Sequence, residues 1–188
     1  MLLDLIVHRP QAIAGLLRGT PAGVWLLLAG LTALGVSQCR PRSAGLGRTV
    51  ALPLAMAALG AWGVLAASRT AGLAWEPLAL WLAAALATCA LLSRLLPQAP
   101  AGARYDAAAR RFRLPGSPVP LLLILAVFCI KYAVGLETAL DPAHAARPGF
   151  ALAVAAVYGV ATGGFLSRAA RLLRLAYPAG PARSAVPA

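Results

Sequence analysis

Residues 118–140 read PVPLLLILAVFCIKYAVGLETAL and determine how the rest of the chain is interpreted. A membrane-spanning helix needs about 20 predominantly apolar residues, and this stretch is long enough to supply them. Lys131, the only lysine in the chain, lies well inside it. A charge at that depth costs about 2.5–3.5 kcal/mol on an insertion scale, so we expect Lys131 to face protein or trapped water. The stretch therefore predicts a membrane span packed against other helices.

The composition excludes an ordinary soluble domain. Hydrophobic residues make up 61% of the 188 residues, charged residues make up 12%, and the mean hydropathy is +0.79. The net charge of +12 comes from arginines placed between apolar runs, which favours membrane topology and anionic lipid over nucleic acid. We predict one transmembrane domain over 1–177, with 1–19 lying in the membrane interface and 178–188 disordered.

Four further apolar runs accompany this stretch, separated by basic or Pro- and Gly-containing loops. We predict an all-α membrane protein, a bundle of five transmembrane helices with a short cytoplasmic hairpin at about 103–115. The five predicted spans cover residues 22–38, 49–68, 74–94, 118–140 and 149–168.

The distribution of arginine predicts the orientation of these spans. Cytoplasmic loops of membrane proteins carry an excess of basic residues. The loop between the second and third predicted spans contains only Arg69, and the loop between the fourth and fifth contains only Arg147, each near acidic residues. Arg9 and Arg18 in the N-terminal segment oppose the pattern. We therefore expect an outside N-terminus and a cytoplasmic C-terminus in a bacterial inner membrane. The loops assigned to the cytoplasm contain Arg40, Arg42, Arg48, Arg94, Arg104, Arg110, Arg111, Arg113, Arg168, Arg171, Arg174 and Arg183.

The hairpin at 103–115 is the first candidate site. Phe112 and Leu114 alternate with arginines, the period of a half-buried strand, and Tyr105 is expected to face Phe112 across the turn. One interpretation is that the arginine face binds anionic lipid headgroups. The other is that these charges only fix topology. The candidate headgroup contacts are Arg104, Arg110, Arg111 and Arg113.

Lys131 is the centre of a second candidate site inside the membrane. Counting 1.5 Å per residue from the outer ends of the fourth and fifth spans places Lys131 and Tyr158 at the same depth, about 14 Å in. Helical spacing adds Thr138 to the stripe of Lys131. These residues form either a solute or proton site, or a structural lysine satisfied by Tyr158 or by backbone carbonyls.

The fifth predicted span carries a small residue at every fourth position, including Gly159 and Gly163. Such a ladder lets a second helix approach closely. The partner helix belongs either to the same chain or to a second copy in a homodimer.

Motifs of catalysis and metal binding are missing from the sequence. It has no HExxH, no GxSxG and no glycine-rich phosphate loop. Its three cysteines have no CxxC spacing, and its two histidines lie far apart. We predict no enzyme activity, no cofactor and no metal.

Several motifs carry a resemblance to a known family. These are a Tyr-Asp hairpin at 105–106, the Pro-Gly-Ser helix start at 115–117, Phe-x-x-Lys-Tyr at 128–132, and Ser37-Gln38. In them the chain resembles a family of small, uncharacterised bacterial multi-pass transmembrane proteins that share a domain of unknown function. The resemblance implies a membrane location and no known activity.

We therefore expect a non-enzymatic integral membrane protein that acts through helix packing, or through binding of a protein partner or of lipid. The alternative is a small transporter or ion-translocating protein that uses Lys131.

Overall fold

The computed structural model describes residues 15, 18–96, 98–99 and 102–177. The predicted disordered tail lies outside the described residues, as does most of the predicted interfacial segment. The described chain contains six helices and three strands. In order these are α1 (Ala22–Ser37), β1 (Arg42–Gly45), α2 (Leu46–Thr70), α3 (Glu76–Leu95), β2 (Arg104–Asp106), β3 (Arg111–Leu114), α4 (Val119–Leu140), α5 (Pro142–Ala145) and α6 (Pro148–Ala176).

Four of these helices, α2, α3, α4 and α6, are long and apolar enough to cross a membrane. The helical membrane class agrees with the prediction. The helix α1 has 16 residues and falls below the length of a full span. At 1.5 Å per residue it extends about 24 Å, against about 30 Å for the hydrocarbon core of a bilayer.

The longest helix, α6, is the centre of the bundle. It packs most extensively against α3 and next against α2, whereas α1 packs mainly against α4. The buried face of α6 is built from small and medium-sized residues, which allow neighbouring helices to come close. Its buried residues include Ala151, Ala155, Tyr158, Gly159, Thr162, Gly163, Ser167 and Leu172.

The predicted hairpin is part of a three-stranded antiparallel sheet with the order β1-β3-β2. Sequence analysis missed β1, because RSAG is short and has no alternation of apolar and polar residues. In the sheet Ala44 lies opposite Phe112 on one side, and Tyr105 lies opposite Phe112 on the other. These side chains share the inner face of the sheet, which packs with Leu172 of α6. We call this end of the bundle the sheet side.

The turn between β2 and β3 is fixed by local chemistry. The Asp106 carboxylate accepts a hydrogen bond from the Ala109 backbone N–H at 3.0 Å, a side-chain bond typical of Asx turns. Arg110 closes the turn with φ of 50°, a left-handed conformation that favours glycine. As predicted, Tyr105 contacts Phe112, with the ring centres 4.9 Å apart.

Candidate functional site: an intramembrane lysine and an arginine-lined cavity

The structure brings Lys131 and Tyr158 together between α4 and α6. The Lys131 Nζ lies 4.4 Å from the centre of the Tyr158 ring. The same amine donates a hydrogen bond of 3.1 Å to the backbone carbonyl of Leu59 in α2. One lysine side chain therefore contacts both α2 and α6.

Gly63 explains why a helical carbonyl is open to Lys131. A side chain at this position, one turn after Leu59, would lie over the Leu59 carbonyl. A methyl group built at Gly63 would come within 2.5 Å of Tyr158 Cε2 and within 3.2 Å of Lys131 Nζ. Glycine at position 63 is thus what admits both the tyrosine ring and the amine.

Thr138, predicted to share the helical stripe of Lys131, is not in contact with the lysine. Its hydroxyl donates to the Val134 carbonyl of its own helix at 2.8 Å, and the residue is exposed. The seven residues from Lys131 to Thr138 correspond to about 10 Å along the helix, beyond direct contact. The second partner of Lys131 is the Leu59 carbonyl instead.

A small void borders Lys131 near the middle of the bundle. Its volume is about 20 Å³, and Gly60, Tyr158 and Thr162 also line it. The indole N–H of Trp81 is buried and has no hydrogen-bond partner among the described residues. It lies 3.2 Å from the position that a methyl group on Gly60 would occupy, and the Thr162 hydroxyl lies 3.1 Å from that position. The void has room for about one water molecule beside polar groups.

Gly159 and Gly163 lie against α3 of the same chain. A methyl group at Gly159 would come within 2.5 Å of the Trp81 carbonyl oxygen. One at Gly163 would come within 2.5 Å of the Ala85 carbonyl oxygen and 2.7 Å of Thr88 Cβ. Both glycines therefore serve the close contact between α3 and α6.

The arginines of the hairpin point away from the helices. Arg111 and Arg113 alternate with the buried Phe112 and Leu114, so they occupy the outer face of the sheet. Arg104 lies opposite Arg113 on that face, and Arg110 is exposed in the turn. Arg113 pairs weakly with Asp106, with 3.8 Å between nitrogen and oxygen. Contact of these four arginines with lipid headgroups stays a prediction.

A cavity of about 510 Å³ lies on the sheet side, and sequence analysis did not predict it. Arg42 of β1, Arg48 of α2 and Arg168 of α6 line it, and none of the described residues that line it is acidic. We call it the arginine cavity. Its remaining walls are mostly apolar and include Leu34, Ala51, Ala55, Leu114, Pro120, Phe165 and Leu172.

Arg42 is the best-positioned of the three arginines. It lies opposite Leu114 on the inner face of the sheet, and its guanidinium donates to the Gln38 side-chain oxygen at 2.8 Å. Burial lowers the pKa of the Arg42 guanidinium, and the neighbouring charge of Arg48 lowers it further. Arg42 also repels Arg168 across the cavity. These positive charges are therefore held together without a carboxylate between them.

The start of α2 adds to the positive character of the arginine cavity. This helix begins without a side-chain cap and without an acidic residue in its first turn, so its terminal N–H groups are not bonded by a capping side chain. The first turn of α2 thus presents N–H groups without a side-chain cap close to Arg48.

A comparison with protein families gives one match over almost the whole chain, residues 1–183, to a family described as a family of unknown function, DUF6622. The chain belongs to this family. The resemblance to a domain of unknown function is thereby confirmed. No curated protein and no solved structure matches the chain.

In this DUF6622 member, two of the motifs that suggested the family lie against each other. The Ser117 N–H donates to the Gln38 carbonyl at 3.1 Å. A methyl group built at Gly116 would clash with the Cys39 carbonyl oxygen. The Pro-Gly-Ser segment therefore packs over the end of α1, which holds Gln38 where it bonds Arg42. Ser117 also accepts a bond from the Val119 N–H at 3.3 Å, so α4 begins at Val119, one residue later than predicted.

The sequence did not indicate that the segments lining the arginine cavity come together. Each arginine fits a loop or helix end that favours the cytoplasm, and this role alone accounts for its presence. Only the pairing of β1 with β3 places Arg42 next to Arg168. Within the described residues, no three His, Cys, Asp or Glu side chains are grouped to hold a metal.

Proposed function

We propose that this integral membrane protein is non-enzymatic and binds an anionic lipid in the arginine cavity. The observation that carries the proposal is the convergence of Arg42, Arg48 and Arg168 on a cavity with no acidic residue among its described lining. Arginine suits this task because its planar guanidinium matches phosphate with two parallel hydrogen bonds.

The shape of the arginine cavity supports a lipid over a purely polar ligand. The charged groups lie at the sheet side, whereas Ala55 and Phe165 extend the lining along α2 and α6. A ligand with a charged head and an apolar tail satisfies both parts. A volume of about 510 Å³ is within the usual range for ligand sites.

The proposal includes five membrane crossings, the first formed by α1 with the residues before it. The residues before α1 lie beside the second half of α4, because Thr20 and Tyr132 share a hydrogen bond of 2.7 Å. Gly15 and Gly19 line a groove together with Leu140, at the end of α4. Residues 18–37 thus run antiparallel to α4, which is long enough to cross.

We place the sheet side in the cytoplasm of a bacterial inner membrane, with the N-terminus outside. The sheet side holds the arginines of β1, β2, β3 and the end of α6. The opposite end carries Arg69 and Arg147 together with Glu76 and Asp141. Reporter fusions test this orientation. Alkaline phosphatase activity from a fusion after Arg110 or after Leu175 would overturn it.

Lipid binding is tested with two matched triple variants of the full chain in detergent. One replaces Arg42, Arg48 and Arg168 with Gln, and the other replaces Arg110, Arg111 and Arg113 with Gln. Native mass spectrometry then compares retained anionic and zwitterionic lipid, with circular dichroism as the control for folding. We expect the first variant to lose the preference for anionic lipid and the second to keep it. The reverse result would move the lipid contact to the outer face of the sheet.

The alternative function is transport of a solute or ion past Lys131. One observation favours it, since Lys131 borders both a groove of about 500 Å³ between α1 and α4 and the void of about 20 Å³. Against it, the amine already contacts Leu59 and Tyr158. Flux of protons or anions into proteoliposomes, lost in Lys131→Met, would favour transport over lipid binding.

A protein partner or a homodimer is a further possibility for this chain. The small-residue ladder of α6 does not support a dimer, because Gly159 and Gly163 already contact α3. The sedimentation of the purified protein in detergent measures its oligomeric state directly.

A further inference from the structure

We propose that the lipid of the arginine cavity carries a phosphomonoester headgroup, that is, a terminal phosphate with two ionisable oxygens, as in phosphatidic acid. This inference rests on the proposed lipid binding and narrows it to one class of headgroup. Phosphodiester lipids such as phosphatidylglycerol are the competing class.

The first argument is charge. Arg42, Arg48 and Arg168 bring three formal positive charges to the cavity, and no acidic residue among its described lining offsets them. Arg42 is close enough to the other two for mutual repulsion. A terminal phosphate carries about −1.5 to −2 charges at pH 7. The single charge of a phosphodiester leaves more of the repulsion in place.

The second argument is the number of donors around the headgroup. The guanidinium groups come from three separate elements, β1, α2 and α6. The uncapped start of α2 adds backbone N–H groups and the positive end of a helix dipole. A terminal phosphate presents three acceptor oxygens, enough to meet donors from several directions. In a phosphodiester a second ester substituent takes one of these oxygens.

The third argument is the placement of polar groups. Besides the arginines, the polar side chains of the lining are Ser37, Gln38 and Thr49. The Gln38 oxygen is engaged by Arg42, and the Thr49 hydroxyl donates to the Gly45 carbonyl. Few side chains are therefore left for the hydroxyls of a glycerol, sugar or inositol headgroup. A bare phosphate needs none of them.

The pH dependence separates the two lipid classes. The second ionisation of a phosphomonoester has a pKa of about 6, so this headgroup loses most of its second charge between pH 7.5 and pH 5. A phosphodiester keeps one charge throughout, and the arginines stay protonated. Binding of the phosphomonoester lipid should therefore weaken when the pH falls from 7.5 to 5, whereas binding of the phosphodiester lipid should not.

The experiment is competition in native mass spectrometry with the full chain in detergent. Phosphatidic acid and phosphatidylglycerol with identical acyl chains are added at equal concentration, at pH 7.5 and at pH 5. We expect roughly tenfold preference for phosphatidic acid at pH 7.5, equivalent to one decade in Kd, falling to about twofold or less at pH 5. Glycerol 3-phosphate and inorganic phosphate are tested separately as soluble sources of the same headgroup.

Single variants connect the preference to the cavity. Arg42→Gln and Arg48→Gln should each reduce the preference for phosphatidic acid. Arg174→Gln serves as the control, because Arg174 is an exposed arginine of α6 outside the cavity lining. Because Arg42 is partly buried, the exposed Arg48 provides the variant that is least expected to disturb folding.

Each outcome either supports or overturns the inference. Equal binding of both lipids, lost in the arginine variants, overturns the phosphomonoester class and leaves lipid binding intact. If both lipids bind and neither arginine variant changes that binding, both the phosphomonoester inference and the proposed lipid site are overturned. Inorganic phosphate that competes as strongly as phosphatidic acid would show a site for soluble phosphate, which contradicts a lipid ligand.

Discussion

The amine of Lys131 lies 4.4 Å from the centre of the Tyr158 ring, so the only lysine of the chain ties α4 to the central helix α6. Its hydrogen bond to the Leu59 carbonyl extends the link to α2. Direct packing of α4 on α6 is sparse compared with that of α3 on α6. The lysine thus bridges the α1–α4 pair and the group formed by α2, α3 and α6.

This bridge predicts that Lys131→Met is tolerated or stabilising. The substitution exchanges a desolvated charge for an apolar side chain of similar length, which is often neutral or favourable. Thermal unfolding in detergent measures the effect, and we expect a melting temperature equal to or above that of the parent. Tyr158→Phe, which keeps the ring face, is the control and should change stability by less than about 0.5 kcal/mol. A folded Lys131→Met protein that loses ion flux would instead assign Lys131 to transport.

The contact between α3 and α6 predicts opposite effects at two adjacent glycines. Gly163→Ala places a methyl group 2.5 Å from the Ala85 carbonyl and should destabilise by about 1–3 kcal/mol, as overpacking does. A methyl group built at Gly164 would have Leu123 Cδ2, 3.9 Å away, as its nearest neighbour outside its own helix. Gly164→Ala should therefore gain up to about 1 kcal/mol from helix propensity. Equal melting temperatures for the two variants would contradict the close approach.

Gly116 predicts a third effect, at the junction of α1 and α4. Alanine at this position meets the Cys39 carbonyl, which belongs to rigid backbone, so the loop over the end of α1 must shift. We expect Gly116→Ala to lower stability and to weaken anionic lipid binding, because Gln38 and its bond to Arg42 move with the loop. Gly135→Ala is the control, since no described atom outside its own stretch of helix lies within 4 Å of the added methyl group. Unchanged lipid retention in a destabilised Gly116→Ala protein would separate the loop from the cavity.

The turn of the hairpin predicts a stabilising substitution. Arg110 adopts φ of 50°, a conformation that costs a non-glycine residue about 1 kcal/mol. Arg110→Gly should relieve this cost, partly offset by the greater chain entropy of glycine, and raise stability by about 0.5 kcal/mol. Arg111→Gly, in a strand position, should lower stability. Thermal unfolding of both variants distinguishes the turn from a general effect of removing arginine.

The contact between Lys131 and Tyr158 was predictable because both positions can be counted from the ends of long apolar runs. The hydrogen bond from Lys131 to the Leu59 carbonyl of α2 was not predictable, because every residue has a backbone carbonyl. Access to this one depends on Gly63, whose missing side chain leaves room for the lysine. The arginine cavity depends on β1 pairing with β3, about 70 residues later in the chain. Such distant pairing leaves no local pattern in a four-residue strand. The helices were predictable for the opposite reason, because their apolar length is a local property.

The position of α6 in the chain determines when the arginine cavity can be complete during biosynthesis. The chain emerges from the ribosome N-terminus first, so Arg42 and Arg48 are made long before Arg168. The strand β1 has no neighbour until β3 follows, after two further helices have been produced. The last helix then supplies both the packing surface for α2 and α3 and the third arginine. Any nascent chain stalled before α6 therefore lacks both the third arginine of the cavity and the helix on which α2 and α3 pack most extensively.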